Sequence, residues 1–396
     1  MGVPVCRWLS LCDRFSRRRP ASPQKVLVIL LSEMGSLVLA IPMFERIRQK
    51  YPHATIHALV FERNRGVLDL IAQVAPSCVF MVRDTSASAM IRDTFAVMRA
   101  MRRAKIDTVI DCELFSRVSS IYAYLSGSPV RVGFERHRQE GLYRGSFINR
   151  PVLYNPYLHI SRQFVNLADA IEARGRPLVK SVSGETVGSG GLPPLEVTPT
   201  EIENAGRALK QDFPGVQIDR LVLLYPGGGM LPIRAWPEAY YAEVCRKLTQ
   251  EGYTVGVVGL AGDRPLAQRV LASCEPARRL DLTGYTRRLR DLVVLFHLAD
   301  LLITNDGGPG HFAALTPIDT IIFYGPETPA LYGPLSSRAH VFFSGLACSP
   351  CLTAYNHRNS PCDGNNACLK TISPAVVLEK AMALLKARGA AAPARG

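Results

Sequence analysis

The stretch LLITNDGGPGH, residues 301–311, decides the fold of this chain. Its first residues form an apolar run with the length of a buried strand, which is typical of parallel sheets covered by helices on both faces. A glycine-rich turn and the start of a helix follow directly, as in doubly wound α/β domains. We therefore predict a strand over 301–305 and an anion site at the backbone amides of the turn that follows it.

The same alternation of strand, loop and helix extends along the chain on both sides of this stretch. It predicts strands at 25–31, 55–60, 78–82, 106–110, 129–133, 220–225, 254–259, 301–305 and 319–323. It predicts helices at 37–50, 64–73, 89–103, 116–126, 159–173, 238–251, 265–273, 287–299, 310–315 and 374–388. The predicted fold class is therefore α/β, with two doubly wound Rossmann-like domains and a ligand cleft between the carboxyl ends of their strands.

Periodicity is lost over residues 175–200, where Gly, Ser, Pro and Val dominate, so this region is predicted to be a linker. The predicted organisation is a basic N-terminal tail (1–24), a first Rossmann-like domain (25–174), a linker (175–215), a second Rossmann-like domain (216–372), and a C-terminal helix and tail (373–396).

The chain carries a formal net charge of +14, which favours an anionic partner. No stretch approaches the roughly 20 apolar residues that cross a bilayer, so the sequence does not predict an integral membrane protein. The N-terminal tail interleaves arginines with Trp8, Leu9 and Leu11, which favours a short helix lying on a membrane surface; a disordered basic tail is the alternative. The sequence shows no nucleic-acid-binding module, and no nucleic-acid partner is predicted.

Four of the ten cysteines, Cys348, Cys351, Cys362 and Cys368, follow the pattern C-x2-C-x10-C-x5-C. Because the sequence shows no secretion signal, a cytoplasmic and reducing location is expected, which favours thiols or a metal over disulfides. Four thiolates in one loop predict a structural zinc site, although the last spacing is longer than usual for zinc. The other six cysteines suggest no disulfide framework.

The first strand ends in the loop 31–36, which contains three residues of interest. Gly35 is expected to let the chain turn tightly, and Ser36 is expected to cap the following helix. Glu33 lies at the switch point of the predicted sheet, where a carboxylate can accept a proton. The alternative is a solvated acid beside an ordinary helix cap.

In the second domain, a strand leads directly into Gly227 and Gly228, whose amides are free to approach a phosphate. Arg234 follows and is placed to neutralise a diphosphate. After the next strand, Asp263 is suited to accept hydrogen bonds from ribose hydroxyls, with helix capping as the alternative.

The loop at 306–311 offers the strongest candidate for diphosphate binding. Asp306 is expected to accept hydrogen bonds from loop amides and to fix the shape of the loop. His311 either donates to a phosphate or packs as a buried histidine. The remaining donor-site candidates of this loop are Gly307, Gly308 and Gly310.

A basic stretch in the first domain contains Arg136, Arg138 and Arg144. Guanidinium groups bind phosphate in a bidentate manner, so the stretch predicts contacts with a phosphorylated acceptor. A solvated run of charges is the alternative.

Together these motifs resemble glycosyltransferase family 9, the lipopolysaccharide heptosyltransferases. The resemblance runs in order over about residues 25–385. It rests on Leu31–Ser36 with Ala40-Ile41-Pro42, Tyr51-Pro52, His159, Pro226-Gly227-Gly228, Arg234-Ala235-Trp236-Pro237, Asp281-Leu282-Thr283-Gly284, Asn305–His311, Phe323-Tyr324-Gly325-Pro326 and Cys348-Ser349-Pro350-Cys351.

The resemblance implies a GT-B fold, with the acceptor on the first domain and the nucleotide-sugar on the second. It implies metal-independent, inverting transfer, typically of heptose from an ADP-linked donor to the lipopolysaccharide core at the cytoplasmic face of the inner membrane. The acceptor would then be an anionic, lipid-linked glycan. On the same basis Arg234 would stabilise the leaving group, and Gly35 would lie on the acceptor side.

One departure from the family pattern concerns the catalytic base. The family usually carries an acidic residue directly after the glycine of the first loop, and here Ser36 occupies that position. A serine cannot remove the acceptor proton unaided, so Glu33 is the predicted replacement. The alternative is a non-catalytic protein that binds a nucleotide-sugar or a glycan. A nucleotide-sugar epimerase or dehydrogenase is disfavoured because the chain lacks a suitably placed G-x-G-x-x-G turn.

Overall fold

The structure, a computed structural model, describes residues 2–13, 22–135, 143–173, 191–356 and 358–391. The chain divides into two compact units, Met1–Val187 and Gly188–Gly396. Each unit contains a parallel six-stranded sheet with helices packed on it, which confirms the predicted α/β class with two doubly wound domains.

The sheet of the first unit has the order β3-β2-β1-β4-β5-β6. Its strands are β1 (Lys25–Ile29), β2 (Thr55–Phe61), β3 (Val79–Val82), β4 (Thr108–Asp111), β5 (Val130–Phe134) and β6 (Arg150–Val152). Its helices are α1 (Gly2–Asp13), α2 (Met34–Leu39), α3 (Ile41–Lys50), α4 (Arg65–Ile71), α5 (Ala87–Ala104), α6 (Arg117–Leu125) and α7 (Ile160–Asp169).

The sheet of the second unit has the order β12-β11-β10-β7-β8-β9. Its strands are β7 (Leu221–Tyr225), β8 (Thr254–Gly259), β9 (Arg279–Thr283), β10 (Leu301–Asn305), β11 (Asp319–Tyr324) and β12 (Ala339–Phe343). Its helices are α8 (Pro199–Asp212), α9 (Glu238–Gln250), α10 (Arg264–Leu271), α11 (Leu289–Leu298), α12 (Gly308–Ala313), α13 (Pro329–Tyr332), α14 (Ala367–Lys370) and α15 (Pro374–Ala391).

Strand order reverses at one point in each sheet. In the first sheet the chain leaves β1 toward β2 and later returns beside it at β4; in the second sheet β7 and β10 have the same relation. Ligands of doubly wound folds bind outside the carboxyl ends of the strands at such a switch point. The loops after β1, β4, β7 and β10 are therefore where each unit is expected to hold a ligand.

An aromatic cluster fixes the core of the second unit near its switch point. The Trp236 ring stacks on Phe323 with centroids 4.5 Å apart, and its indole nitrogen donates to the Ile372 carbonyl at 2.9 Å. Helix α15 contributes Val377 and Leu385 to the same core. The predicted C-terminal helix is therefore an integral part of the second unit.

Helix α8 lies inside the region predicted to be a linker. A capping box begins it, in which the Thr198 hydroxyl and the Glu201 carboxylate each accept from the other residue's backbone N–H. The helix packs on α11, and Arg290 of α11 donates to Glu201 at 2.9 Å. Of its side chains only Leu209 is buried, which explains why apolar periodicity did not reveal it.

The predicted basic tail also contains a helix, because residues 2–13 form α1. Cys6 and Leu9 are buried in the first unit, where α1 packs on α6. At its end, Asp13 pairs with Arg131 at 2.6 Å. Of the two alternatives for the tail, these residues adopt the helical one, while residues 14–21 lie outside the described residues.

The sequence failed to predict β6, β9 and β12, all three of which lie at sheet edges. Edge strands are covered less completely, so their apolar runs are short or alternate with polar residues. Strand β9 alternates in this way, and Val341 of β12 is 39% exposed.

A disulfide joins Cys245 and Cys274, two buried residues on and just after the neighbouring helices α9 and α10. The sequence did not predict this bridge, since it brings together cysteines that are 29 residues apart.

Candidate functional site

The loop after β1 differs in detail from its prediction. Helix α2 begins at Met34, so Glu33 occupies the N-cap position and Gly35 is already helical. The predictions that Gly35 makes the tight turn and that Ser36 caps the helix are therefore wrong. Glu33 itself has an extended backbone (φ −124°, ψ 125°), as is usual for an N-cap residue.

Glu33 and Ser36 are neighbours on the first turn of α2. The Ser36 hydroxyl donates to Glu33 Oε2 at 3.4 Å, and both side chains are only partly buried. The structure therefore brings a carboxylate to the hydroxyl that stands at the position of the family's usual acid. The pair lies at the carboxyl end of β1, at the switch point of the first sheet.

Glu113, which the sequence analysis missed, holds this loop in place. Its Oε1 accepts from the amides of Leu31 at 2.6 Å and Ser32 at 2.8 Å, and its Oε2 accepts from the Ser32 hydroxyl at 3.0 Å. Burial raises the pKa of the Glu113 carboxyl above its ordinary value. Its position just after β4, the neighbour of β1, is the signal that could have revealed it.

Of the three candidate arginines in the basic stretch of the first unit, the structure describes Arg144. Arg136 and Arg138 lie outside the described residues. Arg144 is completely buried and forms an ion pair with Asp111, whose side chain is equally buried. Its guanidinium also donates to the Ser120 hydroxyl at 2.6 Å and the Glu113 carbonyl at 2.7 Å. The prediction that Arg144 contacts an acceptor is therefore wrong, because the arginine neutralises a buried acid.

This geometry predicts a large effect of Arg144→Met on stability. The substitution leaves Asp111 buried without its counter-charge, which is expected to lower the free energy of unfolding by about 3–5 kcal/mol. Urea unfolding followed by circular dichroism measures the loss. The exposed Arg162, replaced in the same way, is the matched control and should change stability by less than about 0.5 kcal/mol. Equal effects of the two substitutions would contradict the assignment.

In the second unit, Asn305 joins the loop after β7 to the end of β10. Its Oδ1 accepts from the Trp236 amide at 2.9 Å and the Tyr241 hydroxyl at 3.0 Å. Its Nδ2 donates to the carbonyls of Pro226 at 3.0 Å and Gly227 at 2.9 Å. One fully buried amide side chain thus fixes the glycine loop relative to β10.

Two glycines around this loop are closely packed, and at Gly228 the nearest atom belongs to the backbone. A Cβ on Gly228 would lie 2.7 Å from the Pro232 Cα, which is backbone and cannot move aside. A Cβ on Gly310 would lie 2.6 Å from Ile322 Cδ1, so α12 packs directly on β11. These contacts give the predicted glycines a packing role, whereas Gly307 adopts an extended conformation with open space around it.

Arg234 lies beside two buried carboxylates at the switch point of the second sheet. Its Nη2 is 3.0 Å from Glu327 Oε1, and its Nε is 3.4 Å from Asp306 Oδ2. Asp306 was predicted to accept from loop amides; its carboxylate instead faces Arg234. Burial raises the pKa of Asp306 above its ordinary value, and Arg234 opposes that shift. His311, also predicted for this site, is buried in α12.

Glu327 and Arg358 belong to the same cluster, and the sequence analysis missed both. Glu327 follows β11 and is 2% exposed, and its Oε1 is also 3.5 Å from Arg358 Nε. Burial raises the pKa of Glu327 to about 8 and lowers that of Arg358 to about 10. Glu327 directly follows the family-like motif Phe323–Pro326, and its short distance from a strand end was the available signal.

Asp263 adopts the capping role that was the alternative to ribose binding. Its Oδ2 accepts from the Leu260 amide at 2.8 Å. A Cβ on Gly259 would approach that oxygen to 2.8 Å, so the loop closes tightly around the carboxylate. A contact of Asp263 with a ribose remains a prediction.

The four late cysteines all lie within the described residues. No group of three or more His, Cys, Asp or Glu residues that could hold a metal ion occurs among the described residues. Cys351 Sγ accepts from the Ser360 hydroxyl at 3.0 Å, and burial raises the pKa of Cys368, which favours the thiol over the metal-binding thiolate. The structural zinc ion therefore remains a prediction.

Comparisons with known proteins place this geometry in a family. The model of glycosyltransferase family 9 (heptosyltransferase) matches residues 94–360. Lipopolysaccharide heptosyltransferase 2 of Salmonella typhimurium is 23% identical over 92% of this chain and 99% of its own length.

Solved structures also share the fold. The Escherichia coli ADP-heptose lps heptosyltransferase II has a TM-score of 0.69 at 22% identity and covers 92% of this chain and 100% of its own. The E. coli heptosyltransferase WaaC with ADP has a TM-score of 0.62 at 18% identity and covers 91% of this chain and 100% of its own. These likenesses confirm the predicted GT-B class, and with the family match they show that the chain is a glycosyltransferase of family 9.

Proposed function

We propose that this enzyme transfers heptose from ADP-heptose, with inversion, to an anionic, lipid-linked glycan of the lipopolysaccharide-core type. The observation that carries the proposal is Arg234, a largely buried cation held at the switch point of the second sheet. A guanidinium in that position suits a diphosphate. The relative from Salmonella is named a lipopolysaccharide heptosyltransferase, and the E. coli WaaC structure contains ADP, which supports the choice of donor and acceptor.

In the proposed reaction, the acceptor hydroxyl attacks the anomeric carbon of the donor sugar. The bond from that carbon to the diphosphate oxygen breaks, and ADP leaves with the electron pair. Glu33 accepts the hydroxyl proton, and Arg234 stabilises the negative charge that develops on the diphosphate. The proposed reaction does not involve a metal ion. Metal analysis of the purified protein tests the separate prediction of a structural zinc ion.

The experiment that tests the proposal is calorimetric titration with ADP, UDP, GDP and CDP, followed by a turnover assay. Selective binding of ADP, together with transfer of heptose to a heptose-free lipopolysaccharide acceptor, is the expected result. Preference for another nucleotide would change the assigned donor. Binding without turnover would favour the alternative, a non-catalytic protein that binds nucleotide-sugars.

Peripheral contact with the cytoplasmic face of the inner membrane is part of the proposal. Among the described residues, no helix has both the length and the apolar character needed to cross a bilayer. Helix α1 instead exposes three apolar side chains that are three residues apart, Val5 (44%), Trp8 (64%) and Leu11 (55%). An apolar stripe of this kind next to arginines is typical of helices that lie on anionic membranes.

The double substitution Trp8→Ala/Leu11→Ala is expected to weaken binding to vesicles that contain phosphatidylglycerol by about tenfold or more. Burying one large apolar side chain contributes about 1.5–3 kcal/mol, and the two residues account for most of the exposed apolar stripe. Co-sedimentation measures the partition. Tyr157→Ala, which removes an aromatic side chain that is 89% exposed elsewhere in the first unit, is the matched control. Equal binding of all three proteins would exclude α1 as the contact.

A further inference from the structure

The donor-site cluster of the second unit balances two cations against two anions. Glu327 Oε1 lies between two guanidiniums, 3.0 Å from Arg234 Nη2 and 3.5 Å from Arg358 Nε. Asp306 Oδ2 lies 3.4 Å from Arg234 Nε. With all four groups ionised the cluster is therefore neutral, and it offers no net attraction to a further anion.

Among the residues that the structure describes, few other titratable groups face Glu327. The groups that face it or Asp306 are Arg234 from the loop after β7, Asp306 from the loop after β10, Tyr324 from the end of β11, and Arg358. Burial raises the pKa of Tyr324 well above its ordinary value, so its hydroxyl stays neutral at accessible pH. Burial raises the pKa of both carboxyls, and that of Glu327 reaches about 8, so Glu327 is the group of this cluster that changes charge near that pH.

We propose that Glu327 is a positioning residue that bridges Arg234 to Arg358 and takes up a proton when the donor diphosphate binds. The inference rests on the proposed function, because it takes Arg234 as the residue that meets the diphosphate. A bound diphosphate adds negative charge beside a carboxylate that is 2% exposed, and like charges at short range favour the protonated form of the acid. Protonation leaves the cluster with a net charge of +1, which matches an anionic ligand.

Glu327 suits this role better than Asp306. It contacts both arginines, whereas Asp306 is paired with Arg234 alone among the ion pairs of the described cluster. Burial raises the pKa of Glu327 to about 8, so in the free protein this carboxyl is protonated at neutral pH and ionised above pH 8, the range in which a bound diphosphate draws in the proton. A bound diphosphate has only to raise that pKa further.

Calorimetry of ADP binding at pH 9 in two buffers with different ionisation enthalpies tests the proposal. The second ionisation of a terminal phosphate lies near pH 6, so ADP itself exchanges no proton at pH 9. The wild-type protein is expected to take up more than about half a proton per ADP, and Glu327→Gln close to none. The isosteric glutamine keeps an acceptor for the arginines. The matched control is Asp319→Asn at the opposite end of β11, where the carboxylate pairs with Arg338, and it should behave as the wild type.

The same coupling predicts how affinity depends on pH. From pH 8 to 9, the dissociation constant for ADP should rise by up to about fivefold in the wild type and by less than about twofold in Glu327→Gln. If Glu327 had a purely structural role, Glu327→Gln would change the affinity for ADP, but the affinities of the variant and the wild type would depend on pH with the same slope.

A measurement without nucleotide checks that the carboxyl titrates as described. The pKa of Glu327 rises from 4.5 to about 8 on folding, so the native state binds the extra proton between these values. Stability should therefore fall as pH rises from about 5 to 8 and level off above it, and Glu327→Gln should remove this component of the melting curve.

The outcomes separate the inference from the proposed function. ADP binding with no proton uptake by the wild type, or with equal uptake by Glu327→Gln, would overturn the inference and leave the proposed donor intact. Uptake that disappears in Asp306→Asn but persists in Glu327→Gln would assign the proton to the other acid and also overturn it. Failure of every nucleoside diphosphate to bind would reject both.

Discussion

The substitution Glu33→Gln is expected to lower kcat by about 10²–10⁴-fold while the affinity for ADP stays unchanged, because it removes a positioned general base. Glutamine keeps the size of the side chain and an acceptor for the Ser36 hydroxyl, which lies 3.4 Å from Glu33 Oε2. Any loss is therefore chemical. Steady-state kinetics with saturating donor measures it, and Glu45→Gln, an exposed acid on α3, is the matched control.

A second substitution distinguishes a base from a residue that merely shapes the loop. Ser36 stands where the family usually carries its acid, so Ser36→Asp in the Glu33→Gln background restores a carboxylate one helical turn away. Recovery of at least about tenfold in kcat is expected if the chemistry needs a carboxylate at this end of β1. Near-normal turnover of Glu33→Gln alone would contradict the assignment of Glu33 as the general base.

The elements that the sequence predicted correctly are those with a strong local signal. Continuous apolar runs such as 25–31 and 301–305 mark central strands that are buried on both faces, and the structure places β1 and β10 there. The strands at three sheet edges lack that signal. Helix α8 escaped prediction because it buries one side chain and depends on a capping box and on its pairing with α11.

The sequence predicted the loops of the candidate site, but it did not reveal the side chains that hold those loops in place. Glu113, Asn305 and Glu327 each contact at least one partner that is 64 or more residues away in the sequence. No local pattern reports such a contact. Arg144 illustrates the opposite error. A basic stretch of sequence suggests exposure to solvent, yet this arginine is buried and neutralises the buried Asp111.

Strand order explains why these distant groups converge. β1 pairs with β4, and β7 pairs with β10. The two loops that follow the strands of each pair therefore meet at the switch point of their sheet. In the first unit an acid from the β4 loop holds the β1 loop. In the second unit an amide at the end of β10 holds the β7 loop. Both units thus stabilise their first loop from the strand beside it.

The substitution Arg234→Ala is expected to lower kcat by about 10²–10³-fold, because one positioned donor to the developing charge is lost. The affinity for ADP should fall by about tenfold or more, since hydrogen bonds between charged groups contribute about 1.5–3 kcal/mol. Steady-state kinetics and calorimetry measure the two effects. Arg288→Ala, which removes a guanidinium that is 77% exposed in the same unit, is the matched control.

Arg234→Lys separates charge from geometry at this position. Lysine keeps the positive charge between Asp306 and Glu327, but it is a point charge that cannot reach both carboxylates and a phosphate with a planar fork. We therefore expect Arg234→Lys to retain the stability of the wild type and to recover only part of its kcat. Full recovery of kcat would mean that charge alone matters here. Wild-type kcat in Arg234→Ala would remove this arginine from the reaction and leave it the role of neutralising two buried acids.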